Sequence, residues 1–153
     1  MKQNFSIKFI KLLLILTMLF CVVMLFIYST AGLFAPEELY GNIIDILVAI
    51  IIVAIYLIIS WNLLKIVSSI HSTPFTSKNV KSFKIIGYLM ILLSIVDGIV
   101  NFKKKSNLQI MSTGYGSLKR SCIFYLILGL LSLVLAEVFK KAVEIKDEND
   151  LTI

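Results

Sequence analysis

The sequence predicts an all-α integral membrane protein, a bundle of four transmembrane helices with both chain ends in the cytoplasm. Hydrophobic residues make up 59% of the 153 residues and charged residues 16%, whereas soluble domains average about 45–50% and about 25%. The apolar residues form four blocks, each near the roughly 20 residues that cross a 30 Å hydrocarbon core. These blocks fill the chain as one membrane domain, 1–153, with spans at about 9–28, 43–64, 85–102 and 122–139.

The first block is predicted to be a retained span. Lys2, Lys8 and Lys11 lie before or at its start, as in a secretory signal, but its apolar run exceeds the 7–15 residues of a signal core. The following loop, 31–41, contains Glu37 and Glu38 and no lysine or arginine. Because positive residues favour the cytoplasmic side, we expect the N-terminus inside and this loop outside.

The second block leads into a basic loop, 65–82, which we expect in the cytoplasm. A turn is predicted around Pro74, which disfavours helical geometry in the residue before it. Thr76 is then a suitable N-cap. From Ser77 a single helix is expected to run through Lys81 into the third span.

The third block is the shortest and contains Asp97. The loop after it, 103–120, carries five lysine or arginine residues on the side that is predicted to be external, against the usual charge rule. Failure of this block to cross is therefore an alternative, but we expect crossing because early spans usually dominate orientation. Within the loop, the loosely alternating segment 108–113 favours a short extended strand.

The fourth block is expected to continue as a helix into a cytoplasmic tail, 140–153. Lys140 and Glu144 have the i, i+4 spacing that supports a helix. Glu137 is expected to pair first with Lys140 or Lys141 on its own helix. A contact with Lys81 or Lys84 across the inner face is the alternative.

Each span carries a stripe of small or polar residues at helical spacing, and we expect the four stripes to face one another. The residues, span by span, are Thr17, Cys21, Met24 and Tyr28; Asn42, Asp45, Ala49, Ile52, Tyr56 and Ser60; Gly87, Ile91, Ser94, Gly98 and Asn101; and Tyr125, Gly129, Ser132 and Ala136.

Two acidic residues lie inside the predicted spans at similar depth near the outer leaflet. Asp45 and Asp97 could share a polar site with Asn42, Asn101 and Tyr28. A buried carboxylate is costly in a membrane unless it is paired or hydrated. We favour hydration or local pairing at the interface, and a cation or proton site is the alternative.

The chain offers no recognisable catalytic or metal-binding motif. Its single histidine, His71, lies in a loop, and Cys21 and Cys122 have no ligand spacing. We therefore expect neither an enzyme nor a cofactor.

Three blocks of sequence carry a family resemblance. The first block contains Pro74-Phe75-Thr76 and Asn79-Val80 and leads into a span that begins Ile86-Gly87-Tyr88. The second block is the end of the fourth span, residues 135–140, and the third is the end of the chain, residues 148–153. Together they resemble the bacterial four-helix membrane proteins catalogued as domain of unknown function 2975. Lys78 departs from the family pattern, which usually has an acidic residue there. The resemblance implies a multi-pass protein of the bacterial plasma membrane, without an established activity, whose members are often encoded beside small helix-turn-helix regulators.

Under the predicted topology these blocks all lie at the cytoplasmic face. We therefore expect a non-enzymatic regulatory or interaction protein that binds the lipid bilayer and a small cytosolic DNA-binding regulator, without touching nucleic acid itself. The external loop would then sense an envelope stress or a peptide. The candidate interaction residues are Pro74, Phe75, Thr76, Asn79, Glu137, Asp150 and Leu151. Two alternatives are a transporter or channel component that uses Asp45 and Asp97, which would need a homo-oligomer, and a structural protein with no ligand.

Overall fold

A computed structural model describes residues 2–34, 43–70, 74–101, 109–113 and 116–150. Within these ranges the chain forms four long helices, α1 (Lys2–Phe34), α2 (Ile43–Ser69), α3 (Ser77–Asn101) and α4 (Arg120–Asp150), and two short strands, β1 (Gln109–Thr113) and β2 (Gly116–Lys119). The chain divides into two compact units, Met1–Ser72 with α1 and α2, and Thr73–Ile153 with the remaining elements.

All four helices are long and apolar enough to cross a membrane. The shortest apolar stretch, Ser77–Val100, has 24 residues, which is about 36 Å at 1.5 Å per residue and exceeds a 30 Å core. The predicted helix from Ser77 into the third span is confirmed, and this lead makes the third helix long enough. The protein is therefore multi-pass, while the side on which each loop lies stays a prediction.

In the first unit, α1 and α2 pack against each other. The buried face of α2 repeats at helical spacing, with Ile55, Ile59, Asn62 and Ile66 each at most 8% exposed. The Asn62 side-chain amide donates to the Ile58 carbonyl at 2.9 Å, which satisfies a polar group that would otherwise be costly to bury.

The small and polar stripes predicted for this unit are only partly correct. Cys21 and Ser60 are buried as expected. Thr17, however, is exposed and its hydroxyl donates to the Leu13 carbonyl of its own helix, because a threonine can satisfy its hydroxyl without a neighbouring helix. Isoleucines rather than the predicted polar positions form most of the buried face of α2.

In the second unit, α3 and α4 approach so closely that their backbones touch. A Cβ atom built on Gly87 would lie 3.1 Å from the Gly129 carbonyl oxygen, and one built on Gly129 would lie 3.0 Å from the Gly87 oxygen. Ala136, about two turns further along α4, is fully buried. The stripes predicted for the third and fourth spans therefore do face each other, as expected of small residues in membrane helix pairs.

Hydroxyl groups join the same two helices. The Ser132 hydroxyl donates to the Phe83 carbonyl at 2.9 Å. About three turns away, the Ser94 hydroxyl donates to the Cys122 carbonyl at 2.8 Å, and the Cys122 thiol donates to the Ser94 carbonyl at 3.3 Å. These bonds connect the two ends of the helix pair and fix its register.

A β-hairpin connects α3 with α4. β1 and β2 are antiparallel, with Met111 opposite Leu118 and Thr113 opposite Gly116, and the pairing is irregular between Gln109 and Met111. The strand expected at 108–113 is confirmed for Gln109–Thr113, whereas β2 was not predicted. β2 contacts both α3 and α4 and passes into α4 without an intervening residue.

Candidate interaction site at the turn end of the second unit

The turn before α3 is tied to the first turn of the helix. The Thr76 carbonyl accepts the Asn79 N–H at 3.0 Å, and its hydroxyl lies 3.4 Å from the same nitrogen. The predicted N-cap is therefore confirmed. The Asn79 side chain, 4% exposed, donates to the Pro74 carbonyl at 2.7 Å. One asparagine thus fixes the path of the chain from Pro74 into α3.

Three phenylalanine rings join this turn to the end of the fourth span. The Phe139 ring centroid lies 5.6 Å from that of Phe75 and 4.9 Å from that of Phe83, with interplanar angles of 44° and 48°. Tilted pairs at these distances are favourable beyond the area they bury. Phe75 nevertheless remains 45% exposed. We call this region, residues 74–84 together with 132–141, the turn end.

One ion pair crosses the turn end. The Lys84 ammonium lies 3.1 Å from Glu137 Oε1, and both side chains are partly exposed. The expectation that Glu137 pairs first with Lys140 or Lys141 is therefore wrong, and the contact across the two helices is the one that forms. Lys140 pairs instead with Glu144 at 3.8 Å, as its spacing predicts. The glycine contact brings α3 within reach of Glu137.

Beyond the ion pair, one face of α4 forms a shallow, open apolar groove. Its lining residues share a single side of the helix, with two charges at one end, and are Leu130, Leu133, Val134, Glu137, Val138 and Lys141. The groove therefore extends the turn end along α4 and offers apolar surface next to the Lys84–Glu137 pair.

The structure thus brings together Pro74, Phe75, Thr76, Asn79 and Glu137 from the predicted interaction set. Asp150 is the last residue of α4, and Leu151 lies outside the described residues. Sequence reasoning did not single out Phe83, Lys84 and Phe139 as a group. The signal that could have found them is the position of Phe139 within the block 135–140, two residues after Glu137.

The opposite end of the helix pair holds Asp97. Its carboxylate accepts a hydrogen bond from the Ser121 hydroxyl at 2.6 Å. Ser121 belongs to the first turn of α4, where the positive end of the helix dipole favours a negative group. The half-buried carboxylate therefore has a polar contact across the helix pair, while the cation site stays a prediction.

The other members of the predicted polar site are distributed over both units. Asp45 is exposed in the first turn of α2, a position that also suits a carboxylate. Tyr28 is half-buried on α1. Asn42 lies outside the described residues, and Asn101 ends α3 with a side chain that is not described. A site shared by these residues and Asp97 stays a prediction.

The chain has four apolar helices that are long enough to span a membrane. Together with polar groups that are engaged in local hydrogen bonds, they define a small multi-pass membrane protein. The chain belongs to the family described as Protein of unknown function (DUF2975), whose model matches residues 28–153. The resemblance drawn from the sequence is therefore confirmed, and the match extends it to the end of α1. No curated protein and no solved structure matches the chain.

Proposed function

We propose that this protein is a membrane-anchored interaction protein whose turn end binds a small cytosolic protein, such as a helix-turn-helix regulator. The observation that carries the proposal is the meeting of two distant family blocks in one cluster. Phe75 from the turn contacts Phe139 from the end of α4, 64 positions later in the chain. The residues that characterise the family therefore build one surface.

The chemistry of the turn end supports recognition of a protein. Aromatic side chains that are held by neighbours supply contact area at little loss of conformational freedom. Phe75 is held by Phe139 yet keeps 45% of its surface exposed. The Lys84–Glu137 pair beside it is partly exposed, as charges at the rim of an interface usually are, where they contribute mainly to specificity.

The helical tail extends the same surface. α4 has 31 residues, about 46 Å, which exceeds a 30 Å core by about ten residues. The last eleven residues, 140–150, carry lysines and acidic residues on a continuous helix. A charged, helical extension next to an aromatic cluster suits a transient partner, which can bind and leave without unfolding the anchor.

Phe75→Ala tests the proposal. The full-length tagged protein is recovered from native membranes, and co-purifying proteins are quantified by mass spectrometry. Because the ring is partly exposed, we expect the chain to keep its fold, while recovery of a specific cytosolic partner falls at least tenfold. The matched control is Phe9→Ala, which removes a ring that is 52% exposed on α1. Equal recovery with wild type and Phe75→Ala, or equal losses in both variants, would refute the proposal.

Exchange of the ion pair separates structure from recognition. Lys84→Glu and Glu137→Lys each replace the ion pair, 3.1 Å apart in the wild type, with two like charges on facing side chains, so we expect each single variant to lower partner recovery. The double variant restores an ion pair in reverse. If the partner contacts these charges, the double variant regains thermal stability but not binding. Full recovery of binding would show that the pair acts only by holding the two helices.

The contacts do not favour the transport alternative. The bond between Asp97 and Ser121 accounts for that carboxylate locally, and Asp45 is exposed at a helix N-terminus. We therefore propose the interaction function alone, and transport through Asp45 and Asp97 stays a prediction.

A further inference from the structure

A shallow cleft opens on α2 near the C-terminal end of that helix. Its four lining residues are Trp61, Leu64, Lys65 and Ser68. They have the i, i+3, i+4 and i+7 spacing of a single helix face, which lies nearly opposite the buried face that contains Ile55, Ile59 and Ile66. The cleft is therefore on the outward side of the first unit.

The cleft holds a positive charge in a defined place. The Lys65 ammonium lies 5.7 Å from the centroid of the Trp61 ring, within the roughly 6 Å at which a cation is attracted to an aromatic face. Trp61 is 49% exposed, and Lys65 and Ser68 are exposed as well. Because the ring restrains the lysine before any ligand arrives, binding to the ammonium loses less side-chain entropy.

The position along α2 puts this charge at the edge of the membrane core. Asp45 and Lys65 enclose the stretch 46–64, which contains no charged residue. The two are 20 positions apart on one helix, about 30 Å, which equals the thickness of the hydrocarbon core. Lys65 therefore lies at the level of the lipid headgroups, and Trp61 lies where tryptophan is enriched in membrane proteins.

The charge of Lys65 is not neutralised within the described part of the first unit. The other charged side chains described there are Lys8 and Lys11 on α1 and Asp45 at the far end of α2. A phospholipid phosphate lies at the same depth as Lys65 and has the opposite charge. A choline or ethanolamine headgroup would bring a second cation against Lys65 and compete with it for the Trp61 ring, whereas a headgroup without a cation would not.

We propose that this cleft binds the headgroup of an anionic phospholipid. The phosphate pairs with the Lys65 ammonium, and the Ser68 hydroxyl donates to a phosphate oxygen. Leu64 and Trp61 contact the apolar part of the lipid next to the headgroup. This site belongs to the first unit and does not rest on the function proposed for the turn end.

The fluorescence of Trp61, the single tryptophan of the chain, tests the proposal. Full-length protein is reconstituted in phosphatidylcholine vesicles with a small share of brominated lipid, which quenches a tryptophan that it touches. The brominated lipid is phosphatidylglycerol in one sample and phosphatidylcholine in the other. We expect phosphatidylglycerol to bind beside Trp61 about fivefold more strongly, the factor that one lysine contributes near anionic lipid. Equal quenching by the two lipids would overturn the proposal.

Lys65→Gln removes the charge and keeps the tryptophan, so the preference for phosphatidylglycerol should disappear. The matched control is Lys8→Gln, which removes the same charge from an exposed position on α1 and should leave the preference unchanged. An equal loss of preference in both variants would mean attraction by net charge alone and would refute a site at Lys65.

Soluble glycerol phosphate separates a lipid site from a site for free phosphate, because it has the phosphate without the acyl chains. Added in excess to vesicles that contain brominated phosphatidylglycerol, it should leave the quenching of Trp61 unchanged. Recovery of the fluorescence would show that the cleft takes a free phosphate, which overturns the lipid proposal. Partner recovery at the turn end should be unaffected by Lys65→Gln, so the two proposals can fail separately.

Discussion

Gly129→Ala tests the close contact between α3 and α4 most directly. The added carbon would lie 2.9 Å from Ile91 Cγ1, 3.0 Å from the Gly87 carbonyl oxygen and 3.1 Å from the Ile91 nitrogen. Two of these three atoms belong to the backbone and cannot rotate away, so the helices must separate. Overpacking of this kind costs about 1–3 kcal/mol, and the better helix propensity of alanine offsets up to about 1 kcal/mol. We expect a net loss of roughly 1–2 kcal/mol.

Two other glycines on these helices allow a comparison. Among the described residues, a Cβ on Gly98 would meet only Cys122 Sγ at 3.6 Å, an ordinary contact, so Gly98→Ala should be neutral or stabilising by up to about 1 kcal/mol. Gly87→Ala is a second test of the same contact. Its new carbon would lie 2.6 Å from Leu133 Cδ2, 2.7 Å from Leu133 Cγ and 3.1 Å from the Gly129 carbonyl oxygen. Because one of these atoms belongs to the backbone, we expect a loss of stability similar to that of Gly129→Ala.

Equilibrium unfolding in mixed micelles measures the stability of these three variants. Unfolding is followed by the loss of helical circular dichroism as the SDS fraction rises. We expect Gly98→Ala to be more stable than both Gly87→Ala and Gly129→Ala. A loss in Gly98→Ala as large as that in Gly129→Ala would refute the reasoning, because the two sites differ mainly in the space that the structure provides.

Two further predictions use the same unfolding measurement. Ser132→Ala removes the hydroxyl that donates to the Phe83 carbonyl and should lower the free energy of unfolding by about 0.5–1.5 kcal/mol. Thr17→Ala removes a hydrogen bond within one helix and should lower it by less. Equal losses would contradict the role of the hydrogen bond between the helices. Asp97→Ala and Ser121→Ala each remove the same hydrogen bond. Their losses of unfolding free energy should therefore fall short of additivity by at least about 0.5 kcal/mol in the double variant. Additive losses would show that the hydrogen bond contributes nothing to stability.

The helices and the contact face of the second unit could be predicted from the sequence because both depend on local pattern. Apolar length locates a span, and a residue repeat of three to four places Gly129, Ser132 and Ala136 on one side of a helix. Small residues in such a stripe have few uses in a membrane other than close packing. The N-cap at Thr76 is equally local and was equally predictable.

Pairings across elements could not be predicted with the same success. Helical spacing shows that Lys140 and Lys141 lie near Glu137, but it cannot show how far α3 slides along α4. That register is set by the contact between Gly87 and Gly129 together with the hydrogen bonds of Ser94 and Ser132, and it places Lys84 beside Glu137. β2 was missed for a similar reason, since a short segment is recognised as a strand mainly through the partner that pairs with it.

The direct passage from β2 into α4 has a mechanical consequence. With no linker at Arg120, a displacement of the hairpin is transmitted to a stiff rod rather than absorbed by a loop. Between the hairpin and Glu137, however, α4 is held on α3 at Cys122, Gly129 and Ser132. A force on the hairpin therefore meets three successive attachments before it reaches the Lys84–Glu137 pair, so the two ends of the helix pair are mechanically insulated from each other.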